Sequence, residues 1–202
     1  MRRETAFIGD VHGNITALQG ICSILAKRGN PHMVFLGDYI NKGSHSLEVM
    51  QELMAYARNG QATLLAGNHE IALLNALETG DLAAFLRIGG AMTIRSYVGP
   101  HVGADAFKDF RDGFPIEHLN FLRNMLKVYE NDDLIAQHIP STTATHKFLI
   151  SAHIPTGKLP RIEQDSAYLD TGCGTQDGRL TALLWPSLDY VQVNSEGTIV
   201  SD

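Results

Sequence analysis

Three short apolar runs in the first seventy residues each stop at a glycine and hand over to a side chain that binds cations. Ala6-Phe7-Ile8-Gly9 is followed by Asp10 and His12, Val34-Phe35-Leu36-Gly37 by Asp38, and Leu64-Leu65-Ala66-Gly67 by Asn68-His69-Glu70. Runs of this length and composition, ended by glycine, read as strands. Between them, Ile15 to Arg28 carries apolar residues at Ile15, Leu18, Ile21, Cys22 and Leu25, and Leu47 to Ala57 repeats that helical spacing. A β-α-β order favours parallel pairing and brings strand ends to one sheet edge. Taken singly, an aspartate after a strand reads as a helix cap. Three ligand-tipped ends together read as one metal site.

Two later runs extend the pattern: Leu134-Ile135-Ala136-Gln137 ends in His138, and Phe148-Leu149-Ile150-Ser151-Ala152 ends in His153. A lone histidine at a strand end is more often a satisfied core or surface residue. Five such ends, however, offer Asp10, His12, Asp38, Asn68, His138 and His153. Six ligands with one shared carboxylate suit two divalent cations. The mixture of Asp, Asn and His favours Mn²⁺, with Fe or Zn²⁺ next, over Mg²⁺ or Ca²⁺. Two such ions about 3.5–4 Å apart clamp a phosphoryl group and generate a nucleophile from water at neutral pH.

At 202 residues the chain is expected to be one domain with a sizeable core. Its net charge of -6 argues against a general nucleic-acid binder, which needs clustered Lys and Arg. Cys22 and Cys173 do not make a disulfide framework. Met1-Arg2-Arg3-Glu4 passes straight into a strand, and no apolar run approaches the roughly 20 residues of a membrane span. A cytoplasmic protein without a membrane partner is the expectation.

From Ile71 to about Leu126 the pattern is mainly helical, with breaks at Gly89-Gly90, Gly99-Pro100 and Gly113-Phe114-Pro115. This segment is predicted as a helical cap on an α/β core. Strands are predicted to return at 133–137, 147–151, 167–170, 180–185, 190–194 and 198–200. They suggest a mixed sheet, or two sheets packed face to face. Tyr39 and Ile40 read as packing residues, and His32, His45, His101, His118 and His146 as structural or exposed. Glu70 reads as a helix-start residue or a support for its neighbours.

Gly9-Asp10-Val11-His12-Gly13, Gly37-Asp38-Tyr39-Ile40-Asn41-Lys42-Gly43, Gly67-Asn68-His69-Glu70, His138 and His153 resemble the ordered motifs of the calcineurin-like metallophosphoesterases. The likeness is nearest to the serine/threonine phosphoprotein phosphatase branch and its bacterial relatives, diadenosine tetraphosphatases among them. Gly89-Gly90-Ala91-Met92-Thr93-Ile94-Arg95-Ser96-Tyr97, Leu169-Asp170-Thr171-Gly172-Cys173-Gly174 and Gly178-Arg179-Leu180-Thr181-Ala182-Leu183 are similar to further signatures of those bacterial members. The resemblance implies two mixed sheets packed as a sandwich with flanking helices, over residues 1–202, with the cap at about 71–126. It implies Asp10 and His12 on a first metal, Asp38 bridging, and Asn68, His138 and His153 on a second. His69 would be the general acid, and a metal-bound hydroxide would attack phosphorus.

The chain departs from the family pattern around the phosphate. The usual Asp-Arg-Gly is Asn41-Lys42-Gly43, Ala66 stands where protein phosphatases commonly carry Arg, and only fourteen residues separate His138 from His153. Asn41 could still orient His69 through its carbonyl but brings no charge to raise the His69 pKa. Lys42 offers a point charge in place of a two-pronged clamp. Arg87, Arg95 or a partner chain could substitute. The expected function is a dinuclear metal-dependent phosphoesterase acting on a phosphoprotein or a small phosphoester. A dinucleoside polyphosphate hydrolase is the enzymatic alternative, and a metal-binding interaction protein with little turnover is the reading from another class.

Overall fold

The computed structural model describes residues 4–99, 105–141 and 145–200; Met1 to Arg3, Pro100 and His101, named above, lie outside them. The chain opens with β1 (Thr5–Ile8), α1 (Ile15–Lys27), β2 (His32–Phe35), α2 (Ser46–Arg58) and β3 (Ala62–Leu64). Five helices follow: α3 (Asn68–Thr79), α4 (Ala83–Arg87), α5 (Gly90–Val98), α6 (Ala106–Gly113) and α7 (Ile116–Arg123). Then come β4 (Val128–Glu130), β5 (Leu134–Gln137), β6 (Phe148–Ser151), β7 (Arg161–Ile162) and β8 (Ser166–Tyr168). β9 (Arg179–Trp185), β10 (Tyr190–Asn194) and β11 (Ile199–Val200) close the chain.

The strands form two sheets. One has the order β11-β10-β9-β1-β2-β3, the other β4-β5-β6-β8-β7. β1, β2 and β3 run parallel, as the two helical crossovers require, and β9 joins β1 antiparallel. In the second sheet β5, β6 and β8 are parallel, with β4 and β7 antiparallel at the edges. The mixed two-sheet arrangement with flanking helices matches the expected fold.

Side chains of the first sheet alternate between two cores, as a period of two demands. Ala6, Ile8, Met33 and Phe35 pack in the cluster that includes buried residues of α1 and α2. Phe7, Val34 and Leu36 pack instead with Leu134, Ala136, Ile150 and Ala167 between the sheets. Burial on both faces explains why these strands read as continuous apolar runs. Among the described residues, no helix is long and apolar enough to cross a membrane.

Helix boundaries fall within a residue or two of expectation, with one exception. α3 starts at Asn68, not Ile71, because Gly67 is an extended N-cap and Glu70 accepts the Gly67 N–H at 3.0 Å. Strands β4 and β7 were not predicted: β4 is exposed at both ends and β7 has only two residues. Of the incidental histidines, His32 Nε2 lies 2.9 Å from Thr63 Oγ1, His118 Nδ1 lies 2.8 Å from Tyr97 Oη, and His45 and His146 are exposed.

Candidate metal centre

The chain emerging from β1, β2, β5 and β6 and the first turn of α3 converge on one edge of the sandwich. There the structure brings all six expected ligands together. His12 Nε2 lies 3.6 Å from Asp10 Oδ2 and 3.9 Å from Asp38 Oδ2. His138 Nε2 is 3.3 Å from Asp38 Oδ1 and 2.9 Å from Asn68 Oδ1. The His138 and His153 rings are 5.0 Å apart between centroids. Possible ligand atoms of Asp38, His138 and His153 lie within 4.8 Å of one another, and so do those of His12, Asp38 and His69. Asp38 is the member common to both groups.

The backbone is bent to achieve this. Among the described residues seven non-glycine positions have positive φ, and five of them are His12, Asp38, Asn41, Lys42 and His153. Each such residue costs on the order of 1–3 kcal/mol and persists only where the surroundings enforce it. One enforcer is Glu70. Its buried carboxylate accepts the backbone N–H of Asp38 at 2.8 Å, of Tyr39 at 2.9 Å and of Gly67 at 3.0 Å. Burial, and then the charge of Asp38, raises its pKa to about 7. Glu70 is thus a support for the Asp38 turn.

Gly67 makes the approach of Asp38 possible, since a Cβ there would run into the Asp38 carboxylate and backbone. Gly67→Ala is therefore expected to push Asp38 off its position. It should weaken divalent-metal binding by tenfold or more, on the order of 1.4 kcal/mol, as calorimetric titration would read. Unchanged affinity would show that the turn gives way.

Two features of the donor set fit a cation. Asp10 Oδ1 is buried without a hydrogen-bond partner, and burial, with the charges of Asp38 and Asp170 adding to it, raises the Asp10 pKa against the contact with His12. Buried acids held close together want positive charge between them. In addition, His12 Nδ1 sits 3.1 Å from Ile40 O and His138 Nδ1 3.1 Å from Leu36 O. A carbonyl accepts from Nδ1–H, which leaves each Nε2 as the ligating nitrogen.

Burial favours neutral His138, but the hydrogen bond and charge of Asp38, with Asp10 and Glu70, outweigh it and lift its pKa to about 9. Burial would likewise raise Asp38, yet His138, His69 and His12 hold it below the usual carboxylate range. A cation at His138 Nε2 must displace a proton below that pKa. Apparent affinity should rise about tenfold per pH unit between pH 7 and 9 and level off above. A flat profile over that range, read by competition with a chelator, would contradict the shift.

The catalytic candidates differ from expectation in one respect. His69 Nδ1 lies 2.7 Å from the amide nitrogen of Asn41, not from its carbonyl oxygen. The Asn41 Oδ1 accepts from Thr93 Oγ1 at 2.6 Å, and its Nδ2 also donates to Ile88 O at 3.3 Å. The amide is held in that orientation, so His69 accepts at Nδ1 and carries its proton on Nε2, 3.5 Å from Asp38 Oδ2. Burial, opposed by Asp38 and aided by His12, Lys42 and His138, lowers the His69 pKa to about 4. The imidazole is neutral.

Thr93, fully buried on α5, is the residue that sequence reading missed. Its hydroxyl also accepts the Asn41 N–H at 2.9 Å. The Gly89-to-Tyr97 signature marked the stretch without revealing this contact. Lys42 points inward as well, with Nζ 2.7 Å from His12 Nε2.

The comparisons with known proteins agree with this geometry. The family model described as calcineurin-like phosphoesterase matches residues 4–181. Over 236 aligned positions the chain is 26% identical to the asymmetrical bis(5'-nucleosyl)-tetraphosphatase PrpE of Halalkalibacterium halodurans, covering 96% of this chain and 95% of that one. It is 33% identical over 95 residues to a zinc-dependent endopolyphosphatase of Saccharomyces cerevisiae, covering 46% of this chain and 28% of that one. The crystal structure of a putative diadenosine tetraphosphatase superposes with a TM-score of 0.68 at 17% identity, covering 95% of this chain and 93% of that one, which shows a shared fold.

Proposed function

The chain belongs to the calcineurin-like phosphoesterase family, a family of phosphoric ester hydrolases, and from that premise we propose that it cleaves phosphoesters and phosphoanhydrides with good leaving groups, dinucleoside polyphosphates foremost. The observation that carries the substrate choice is the amide of Asn41 at His69 Nδ1. A neutral imidazole donates a hydrogen bond from Nε2 but is a poor proton donor to an alkoxide. Nucleotide phosphate and aryloxide leave without full protonation. The full-length similarity to a nucleosyl tetraphosphatase points the same way.

Asp10 and His12 would hold one divalent cation, Asn68, His138 and His153 a second, and Asp38 would touch both. The bound ions supply Lewis acidity and an activated water. Lys42, on a flexible stem, would neutralise a non-bridging phosphate oxygen. Asn68 adds an amide donor beside the phosphate, and His69 Nε2–H faces the departing oxygen. Glu70 and Thr93 keep the Asp38 turn and the Asn41 amide in place. Mn²⁺ is the metal that the donor mixture favours. A phosphoprotein substrate is the second reading, resting on the motif likeness to protein phosphatases.

The test is direct. Protein loaded with Mn²⁺ is assayed with diadenosine tetraphosphate, p-nitrophenyl phosphate, bis-p-nitrophenyl phosphate and a phosphoserine peptide. Turnover of the first with little on the peptide is expected. No cleavage of any of them would favour a metal-binding protein without turnover.

A further inference from the structure

Beside the loop that carries Lys42 lies a cavity of about 420 Å³, lined by Ser44, Met92, Arg95, Ser96 and Gly99. Four of these residues stand at i, i+3, i+4 and i+7 of α5 and its C-cap, so one stripe of the helix forms a wall. We propose that this cavity is a second phosphate subsite, which binds phosphates of an anhydride-linked chain beyond the one being attacked. The inference rests on the substrate class proposed above and says where the rest of such a substrate lies.

The cavity is tied to the reaction site through α5. On the helix's buried face, Thr93 bonds both the backbone and the side chain of Asn41. A Cβ at Gly89 would lie 3.5 Å from the backbone nitrogen of Lys42. Ser96 Oγ accepts the Leu47 N–H at 2.9 Å, joining the wall to the start of α2. Ser44 follows Lys42 by two residues. The Lys42 loop thus borders both the metal centre and the cavity, through His12 on one side and Ser44 on the other.

The chemistry of the lining suits an anion. Arg95 is exposed, and among the described residues its guanidinium makes no ion pair or hydrogen bond. Arg58, Arg123 and Arg161, by contrast, each face a carboxylate. The fork of an arginine matches two phosphate oxygens. Ser44 and Ser96 add hydroxyl donors, and Met92 gives an adaptable apolar surface. Glu48 stands 3.5 Å from Ser96 Oγ and draws that hydroxyl until a phosphate replaces it. The Glu48 carboxylate opposes an anion at this edge, so binding there depends on the Arg95 charge. A monoester carries one phosphate, which the metal centre takes, and so gains little from the cavity.

Arg95→Ala and Arg95→Lys separate this reading from a general loss of function. In Mn²⁺-loaded protein, the alanine variant should raise KM for diadenosine tetraphosphate about tenfold to a hundredfold more than KM for p-nitrophenyl phosphate. The lysine variant should recover part of the difference. Binding of inorganic tripolyphosphate to the metal-free protein, followed by calorimetry, should weaken by a similar factor in the alanine variant. Equal KM changes for the two substrates, or tripolyphosphate affinity insensitive to Arg95, would overturn the subsite. If the wild-type protein cleaves no phosphoester, the proposed function fails while the tripolyphosphate titration still decides the cavity.

Discussion

Asp38→Asn is expected to take metal content from two ions per chain towards none and to reduce phosphoester turnover roughly a thousandfold or more, about 4 kcal/mol of transition-state stabilisation. The reason is placement. The Asp38 carboxylate lies 3.3 Å from His138 Nε2, 3.5 Å from His69 Nε2 and 3.9 Å from His12 Nε2. A neutral amide there has one acceptor oxygen in place of two and no charge to offer to either ion. The amide is isosteric and can keep the contact with the His69 N–H, at 3.1 Å from Asp38 Oδ1, so the fold should survive. Elemental analysis is the decisive measurement. Two ions retained at full stoichiometry in the variant would remove Asp38 from the bridging role.

Asn41→Asp is expected to change which substrates are cleaved. The introduced carboxylate replaces the amide N–H₂ facing His69 Nδ1, so the ring must turn from acceptor to donor at that atom. An adjacent carboxylate raises a histidine pKa by about 1–3 units, and a competent general acid contributes on the order of 10²–10⁴-fold. Hydrolysis of an alkyl phosphate should rise by about ten- to a hundredfold while p-nitrophenyl phosphate changes little. The introduced oxygen also faces Ile88 O, which the amide nitrogen now meets at 3.3 Å, at a stability cost of about 1–3 kcal/mol. The measurement is the slope of rate against leaving-group pKa across a series of phosphate esters. An unchanged slope would mean that His69 does not face the leaving oxygen. A gain on every substrate alike, from near zero, would instead indicate a chain whose turnover had decayed.

The fold was legible wherever one strand and one helix alternate. β1 to β3 are short apolar runs stopped by glycine, and between them α1 and α2 keep helical spacing on one buried face, so type and order were readable. β4 was hidden because it is a short edge strand, exposed at Val128 and Glu130, whose pairing with β5 and not its own pattern makes it a strand. The start of α3 was misplaced by three residues because capping by Glu70 overrides the polarity of Asn68-His69. At the site, ligand identity was readable from chemistry and motif order. The direction of the Asn41 amide was not, since Thr93, 52 residues away in sequence, and the Ile88 carbonyl determine it. Sequence shows which groups are present; orientation comes from contacts made across the fold.

The inward-pointing Lys42 carries a kinetic consequence. Its ammonium occupies the lone pair of His12 that an incoming cation must take, so ion and lysine compete for one nitrogen. An ion held by His12 would leave the lysine without that partner, and its charge would then be at liberty to meet an anion. At the metal centre itself the expected order is therefore the ion first and the phosphate second. Mixing the two with protein in either order, and timing phosphate capture, would register it as a lag whenever the phosphate arrives ahead of the ion.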